Sequence, residues 1–267
     1  MNNIVSSSNH FSFDIKINNV CVNKHVIIHT TNCELVIKQG DRYLPFESGQ
    51  FISIERGMVF SCYIIKKDPN KKPFNVIQMD RTLVLKLKNV ISHLYPPFLE
   101  DIKERNIEHR IIGFKEHDEL LLTYNAIQKI EDDDLKVLKI AYFISMVNRR
   151  ADIIKSLYSS LVTTFTDKIK RMVEKEPEKQ WRLNTIAEEF NITEISVRKR
   201  LVSENISFNQ ILLDVRMNKA MQLLLDNDIH INQISKKVGI STPSYFIRKF
   251  KEYFGVTPKQ FLVYFRC

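Results

Sequence analysis

An internal repeat near the C-terminal end constrains this chain more than any other feature. The segments "IAEEFNITEISVRKRLVSENISFNQIL" (186–212) and "ISKKVGISTPSYFIRKFKEYFGVTPKQFL" (234–262) follow the same plan. Each opens a short helix that ends at Asn191 or Gly239, residue types that tolerate a left-handed backbone. A hydroxyl residue, Thr193 or Thr242, then stands where it can cap the next helix. The repeat therefore predicts two copies of one compact helical unit.

The second helix of each copy is basic and amphipathic. A short helix, a tight turn and a second basic helix form a helix-turn-helix, whose second helix can lie in the major groove of DNA. We predict two such motifs, at residues 184–204 and 232–253, joined by a long helix over "NQILLDVRMNKAMQLLLDND". The chain would then carry two different heads for reading a non-palindromic site in double-stranded DNA.

Helical spacing separates buried from exposed positions on these basic helices. The face predicted to be core carries Val197, Leu201, Phe246, Phe250 and Phe254. The exposed faces offer six candidates for contacts with base edges: Ile195, Arg198, Lys199, Ser244, Ile247 and Arg248. Arginine can pair with guanine through two hydrogen bonds, and isoleucine can contact a thymine methyl group. Contacts with phosphates are expected from Thr193, Arg200, Thr242, Lys249 and Lys251.

The charge distribution favours a polyanionic partner for the same part of the chain. The formal net charge is +9, and residues 166–267 hold 18 Lys and Arg against 12 Asp and Glu. The positive excess per residue is about threefold larger there than in the preceding part, as in many nucleic-acid-binding domains.

The first 80 or so residues have the pattern of short strands. Runs rich in Val, Ile and aromatic residues are separated by turn signals: "HVIIHT", "CELVIK", "FISIE", "VFSCYIIKK" and "FNVIQM". Such spacing predicts an antiparallel barrel or sandwich. From Arg81 onward, apolar residues recur at helical spacing. The predicted fold class is α+β, with a strand domain and its packed helices over 1–163 and an all-α domain over 166–267.

The helices between residues 118 and 163 carry more apolar residues than one buried face needs. Five of them include neighbours at helical spacings of three and seven residues: Leu135, Leu138, Ala141, Tyr142 and Ile144. Two interpretations remain open. These residues cover the strand domain, or part of their surface pairs with a second subunit to form a homodimer.

Enzymatic, metal-binding and membrane functions are not favoured. The sequence has no Gly-rich phosphate loop and no Gly-x-Ser-x-Gly motif. His25 and His29 lack a third ligand nearby, so we expect neither metal nor cofactor. Apolar runs fall short of the roughly 18 residues of a membrane span, and the N-terminus does not resemble a signal peptide. Reduced thiols in a cytoplasmic protein are expected for Cys21, Cys33, Cys62 and Cys267.

The C-terminal hundred residues resemble the AraC/XylS family of bacterial transcription regulators through "ISTPSYFIRKFKEYFGVTPKQF". The segments "WRLNTIAEEFNITEISVRKRL" and "FNQILLDVRM" are similar to the Rns/VirF/ToxT group of enteric virulence activators, and "KINNVCV" and "FISIERG" extend the likeness toward the N-terminus. The resemblance implies a cupin-like N-terminal β-barrel with packed helices, followed by a domain with two helix-turn-helices. It also implies activation of virulence-type genes through contact with RNA polymerase.

An effector site is a further implication of this resemblance. Members of the group bind a small carboxylate or a fatty acid, or respond to bicarbonate, in the N-terminal domain. Where relatives place basic carboxylate-binding side chains, this chain has Asn23 and Gln78. Four nearby residues are candidates to take over that role, Lys24, His25, Arg56 and Arg81, and Gln78 is a fifth candidate for the effector site.

One alternative within the same fold is an adaptor or inhibitory partner protein that no longer reads DNA. The abundant apolar helices before residue 165 leave this alternative open, whereas Arg198, Lys199 and Arg248 argue against it. Binding to random duplex DNA that falls steeply with salt separates a regulator from such an adaptor.

Overall fold

The computed structural model describes residues 14–95, 105–226 and 230–266. Eight strands lie within these ranges: Ile15–Cys21 (β1), His25–His29 (β2), Cys33–Gln39 (β3), Arg42–Phe46 (β4), Gln50–Ile54 (β5), Val59–Lys66 (β6), Asn75–Met79 (β7) and Ile111–Lys115 (β8). They form two four-stranded antiparallel sheets. The first sheet has the order β1-β6-β3-β4 and the second sheet the order β7-β2-β5-β8.

The second sheet is buried on both faces, as strand β2 illustrates. Successive side chains of a strand point to opposite faces. Val26 and Ile28 therefore join the core that the first sheet contributes to, while Ile27 joins the core beneath the helices. A strand covered on both sides has no polar alternation, which explains the nearly continuous apolar run "HVIIH".

Four helices cover the outer face of the second sheet: Arg81–Ile91 (α1), Asp118–Lys129 (α2), Asp133–Ser145 (α3) and Arg150–Leu161 (α4). Phe51 of the sheet packs against Tyr124 and Phe143, with ring centroids 5.0 and 5.4 Å apart. On α3, Ile144 is buried in this core, but Leu135, Leu138 and Tyr142 are largely exposed. Covering the sheet therefore accounts for only part of the apolar surplus of these helices.

The C-terminal part is helical: Phe165–Lys175 (α5), Leu183–Glu189 (α6), Glu194–Ser203 (α7), Phe208–Asp226 (α8), Ile231–Lys237 (α9), Pro243–Phe254 (α10) and Pro258–Phe265 (α11). We call α6 with α7 the first unit and α9 with α10 the second unit. The first unit packs around Ile186, Val197 and Leu201, together with α5. The second unit packs around Phe246, Phe250 and Phe254, and this core is continuous with that of the first sheet.

Among the contacts between the strand domain and the helical domain, two places have hydrogen bonds to α10 and α5. A bulge in β1 puts Asn19 in the left-handed region, with φ 52°, and its Nδ2 donates to the carbonyl of Tyr253 at 2.8 Å. This amide satisfies one of the carbonyls that the end of α10 leaves free. At the second place, Arg56 donates to both carboxylate oxygens of Asp167 in the first turn of α5, at 3.1 and 2.9 Å.

The predicted α+β fold is confirmed, although hydrogen-bonded strands do not close the two sheets into one barrel within the described ranges. The strand pattern missed β1, β4 and β8, each for a local reason. The bulge interrupts the alternation of β1, and Pro45 lies in β4, an edge strand where a missing N–H is tolerated. In β8, Gly113 weakens the strand pattern. A glycine is needed there because a Cβ would lie 2.6 Å from the ring of Phe46.

No helix in the described ranges has the length and apolar character that a membrane span requires. Cys21, Cys33 and Cys62 are free thiols, and burial raises the pKa of Cys33 and of Cys62 to about 12. These thiols are therefore protonated and poorly nucleophilic near neutral pH. Cys267 lies outside the described residues.

Candidate nucleic-acid interface

The turns of the two units have the same backbone design. Asn191 and Gly239 both adopt the left-handed conformation, with φ values of 51° and 71°. The side chain of Thr193 accepts a hydrogen bond from the N–H of Ser196, and that of Thr242 accepts one from the N–H of Tyr245. The predicted N-caps are thus confirmed. They start α7 and α10 at equivalent points, so the two basic helices leave their turns in the same way.

Burial separates the two faces of each basic helix as predicted. The side chains expected in the core, Val197, Leu201, Phe246, Phe250 and Phe254, are all buried. Ile195 and Ile247 expose 66% and 36% of their surface. Ile195 lies in the first turn of α7 and Ile247 in the second turn of α10, and both leave apolar surface available to a thymine methyl group.

In the first unit, Ile195, Arg198 and Lys199 lie together on the exposed face of α7, one helical turn apart. No hydrogen bond or ion pair engages the Arg198 and Lys199 side chains among the described residues. Arg200 differs, because its guanidinium lies over the ring of Phe165, 5.1 Å from the centroid. This contact ties the helix to α5.

In the second unit, Ser244, Ile247 and Arg248 occupy the equivalent exposed positions on α10. The guanidinium of Arg248 lies 5.1 Å from the centroid of the Tyr245 ring, a cation–π contact. Lys249 donates to Glu252 at 2.8 Å, and this hydrogen bond raises the pKa of Lys249. Lys251 is exposed on the same helix.

A polar cavity of about 380 Å³ lies between the strand domain and helices α5 and α8. Six cationic side chains line it: Lys24, Arg56, Arg81, Lys170, Arg171 and Lys219. Three carboxylates offset them in part: Asp80, Asp167 and Glu174. The surplus of cations makes this cavity suited to an anion.

Two of the predicted effector residues in this cavity donate hydrogen bonds to the segment that connects the two domains. Arg56 donates to the carbonyls of Ser160 and Val162 as well as to Asp167, and Arg81 donates to the carbonyl of Leu161. Burial alone would raise the pKa of Asp167, but the hydrogen bonds from Arg56 and Thr164 hold it below its ordinary value. Asp167 therefore stays ionised and holds Arg56 in place.

An apolar cavity of about 370 Å³ adjoins the polar one and extends between the sheets. Side chains of the first and second sheets line its interior, and Met221, Leu225, Phe261 and Phe265 of α8 and α11 close it. Gln78 lies on its wall, and Asn23, Lys24 and Gln222 line both cavities. An apolar chamber with a basic neighbour fits an amphipathic anion better than a fully polar one.

The structure does not bring His25 to either cavity, which corrects its place among the effector candidates. His25 lies on the opposite face of β2 from Val26, fully buried between Ser53 and Ser160, with nitrogen–oxygen distances of 2.9 and 3.2 Å. Burial and, to a lesser extent, the positive charge of nearby Arg105 together lower its pKa to about 3. A neutral, enclosed imidazole cannot pair with an anion in the cavities.

Sequence reasoning did not single out several residues of these sites. Lys170, Arg171 and Lys219 were missed because helices α5 and α8 approach Lys24 and Arg56 only in the folded chain. Tyr245 and Glu252 were missed as partners of Arg248 and Lys249, although their helical spacing of three and four residues could have indicated them. No group of three or more His, Cys, Asp or Glu in the described chain could hold a metal ion.

A family profile described as "Helix-turn-helix domain" matches residues 186–263. The HTH-type transcriptional activator CsvR of Escherichia coli is 40% identical over 256 residues, covering 94% of this chain and 95% of CsvR. The virulence regulon transcriptional activator VirF of Shigella flexneri is 36% identical over 253 residues, with coverage of 94% and 95%.

Solved structures of ToxT from Vibrio cholerae share the fold. One at 1.65 Å resolution has a TM-score of 0.68 at 19% identity and covers 96% of each chain. Another, with an unsaturated fatty acid bound, has a TM-score of 0.66 at 18% identity and covers 95% of this chain and 92% of ToxT. The chain has two matching helix-turn-helix units and is 40% and 36% identical to CsvR and VirF over 94% of its length. It is therefore a transcription regulator rather than an enzyme. It belongs to the AraC/XylS family of helix-turn-helix transcription regulators, in the group that includes CsvR, Rns and VirF.

Proposed function

We propose that this protein activates transcription by binding one asymmetric DNA site with two unlike reading helices. The observation that carries the proposal is the pair of exposed basic helices, α7 and α10, which matching turns and caps start in the same way. Base edges are contacted by Ile195, Arg198, Lys199, Ser244, Ile247 and Arg248. Phosphates are contacted by Thr193, Arg200, Thr242, Lys249 and Lys251. Residues 166–267 form the DNA-binding domain and residues 1–163 the effector and dimerisation domain.

Selection of binding sites from random duplex DNA by the full-length protein tests this proposal. We expect enrichment of one asymmetric motif with two information-rich patches, centred about one helical turn (roughly 34 Å) apart. Binding without enrichment, with an affinity that depends only on salt, would support an adaptor or architectural role instead.

Relatives named as activators of virulence support virulence-type genes as targets. We propose that the protein acts on them in the cytoplasm by contacting RNA polymerase. Transcription from a promoter that carries the selected site, using purified polymerase, tests the activation step. Homodimerisation through α3 is supported by the exposed side chains of Leu135, Leu138 and Tyr142. A monomeric mass by light scattering at tens of micromolar, with and without DNA, would exclude the dimer.

A small carboxylate is the effector class that the two cavities support. In this arrangement an alkyl chain fills the apolar cavity and its carboxylate meets Lys24, which lines both cavities. ToxT, a structural neighbour, has been solved with an unsaturated fatty acid bound. Bicarbonate, which has no alkyl chain, would use the polar cavity alone.

Calorimetry and thermal melting with a medium-chain fatty acid test the effector site. We expect the acid to raise the melting temperature and the alcohol of equal chain length to do so much less, because the alcohol lacks the charge. Lys24→Met should weaken binding of the acid about tenfold, as expected for loss of a charged hydrogen bond. Lys129→Met, at the end of α2 and outside both cavities, is the matched control. Absence of heat and of any thermal shift with fatty acids and bicarbonate would end the proposal.

A further inference from the structure

Helix α8 belongs to the cores of both units. Its first half contributes Phe208, Ile211 and Val215 to the core of the first unit. Its second half contributes Met217 and Leu224 to the core of the second unit. One shared helix sets how far apart the units lie, but it leaves their mutual rotation open to bending and twisting. A second direct contact between the units would restrict that rotation.

The second contact is provided by residues 176–180, which follow α5 in the connection to α6. We call these residues the junction loop. From α8, the Nε of Arg216 donates to the carbonyl of Pro177 at 3.0 Å. The Nη2 of the same guanidinium donates to the carbonyl of Lys179 at 3.0 Å. Both bonds use the planar fork of arginine, which holds two acceptors in a fixed geometry.

The junction loop is itself fixed to the core of the first unit. The indole N–H of Trp181 donates to the carbonyl of Glu176 at 2.9 Å, and Lys179 lies 4.5 Å from the centroid of the indole ring. Trp181 is buried among the residues of the first unit. The loop therefore moves with the first unit rather than independently.

The other side of the junction loop meets the turn of the second unit. A Cβ built on Gly239 would lie 2.8 Å from the carbonyl oxygen of Pro177 and 2.9 Å from the Cα of Glu178. It would also lie 3.0 Å from Nη2 of Arg216. The turn of the second unit thus lies directly on the loop of the first, with the arginine beside both.

We propose that Arg216 is a positioning residue that fixes the rotation between the two units, and thereby sets which spacing of the two DNA patches the protein accepts. This inference rests on the proposed function, in which both units read DNA. One inserted base pair moves a patch by roughly 3.4 Å and about a tenth of a turn around the duplex. A rigid pair of units cannot follow that change, whereas a pair released at the junction can.

The test uses the selected site with zero, one or two base pairs inserted or removed between its patches, and binding by the full-length protein. Wild type should lose at least about tenfold in affinity for a change of one base pair, the scale of a lost base contact. Arg216→Ala and Arg216→Gln should lower this spacing penalty to less than about threefold while retaining binding to the original site. Lys236→Ala on α9 is the control, because it removes one positive charge away from the junction and the reading helices and should leave the penalty unchanged.

Each outcome bears on one claim. A wild-type protein that accepts all spacings equally contradicts two-unit reading itself, and the junction proposal with it. A wild-type spacing optimum that both Arg216 variants retain, with cooperative melting, overturns the junction proposal alone. Loss of folding in both variants would show that Arg216 supports the whole domain rather than the spacing, and would also overturn it.

Discussion

Replacing Arg198 and Arg248 together by alanine should weaken binding to the selected site by about 2–6 kcal/mol, the sum of roughly 1–3 kcal/mol for each arginine. The two losses should nearly add, because the residues lie on different helices with separate cores. Arg198 is expected to show the simpler effect. Arg248 must first leave its contact with the ring of Tyr245, which offsets part of its gain on DNA.

Fluorescence anisotropy with the selected duplex and a scrambled one measures this effect. On the scrambled duplex the double variant should lose only as much affinity as any removal of two positive charges causes, since non-specific binding depends on total charge. A second double variant, Lys236→Ala with Lys237→Ala, removes the same charge from α9, outside the basic reading helices. It should weaken binding to both duplexes alike. Unchanged affinity of the arginine double variant for the selected site would show that α7 and α10 do not read bases in the proposed way.

Gly239→Ala should destabilise the helical domain by roughly 2–5 kcal/mol, combining left-handed backbone strain with crowding against the junction loop. The strain follows from its φ of 71°. The crowding follows from backbone atoms of Pro177 and Glu178 within 3 Å of the new methyl group, because backbone cannot move aside as a side chain does.

The repeat supplies a matched control at Asn191, the equivalent turn position of the first unit, with φ 51°. Asn191→Ala adds no atom, so it should cost only about 1–2 kcal/mol, the strain of a left-handed alanine. Urea unfolding followed by the fluorescence of Trp181, the single tryptophan, measures both variants. Equal losses at the two positions would mean that the junction loop does not crowd the methyl group added at Gly239.

The helical domain was predictable because its signals are local. Caps such as Thr193 and left-handed residues such as Gly239 act within one turn of chain, and the core positions of α10 recur at helical spacing. The base-reading candidates follow from the same spacing, because helix positions that are not in the core lie on the exposed face. For these reasons the repeat predicted which side chains are buried on both basic helices.

Contacts between distant segments were not predictable in this way. Arg216 reads in the sequence as one more polar residue of a long helix, and only the folded chain places it beside Pro177. The effector candidates show the same limit. His25 and Lys24 are adjacent in sequence, yet the alternation of β2 buries His25 on the face opposite the cavities. Which face of a strand meets a cavity depends on the packing of the whole domain.

The contact between the β1 bulge and the end of α10 has a consequence for synthesis of the protein. Asn19 and Tyr253 are 234 positions apart, and Asp14 and Tyr264 are 250 apart. Contacts of this kind form slowly, because closing a long loop costs conformational entropy before the contact is made. The bulge of β1 is synthesised 234 residues before its partner on α10. Docking of the strand domain onto the second unit can therefore begin only after α10 has been made, however early the sheets have formed.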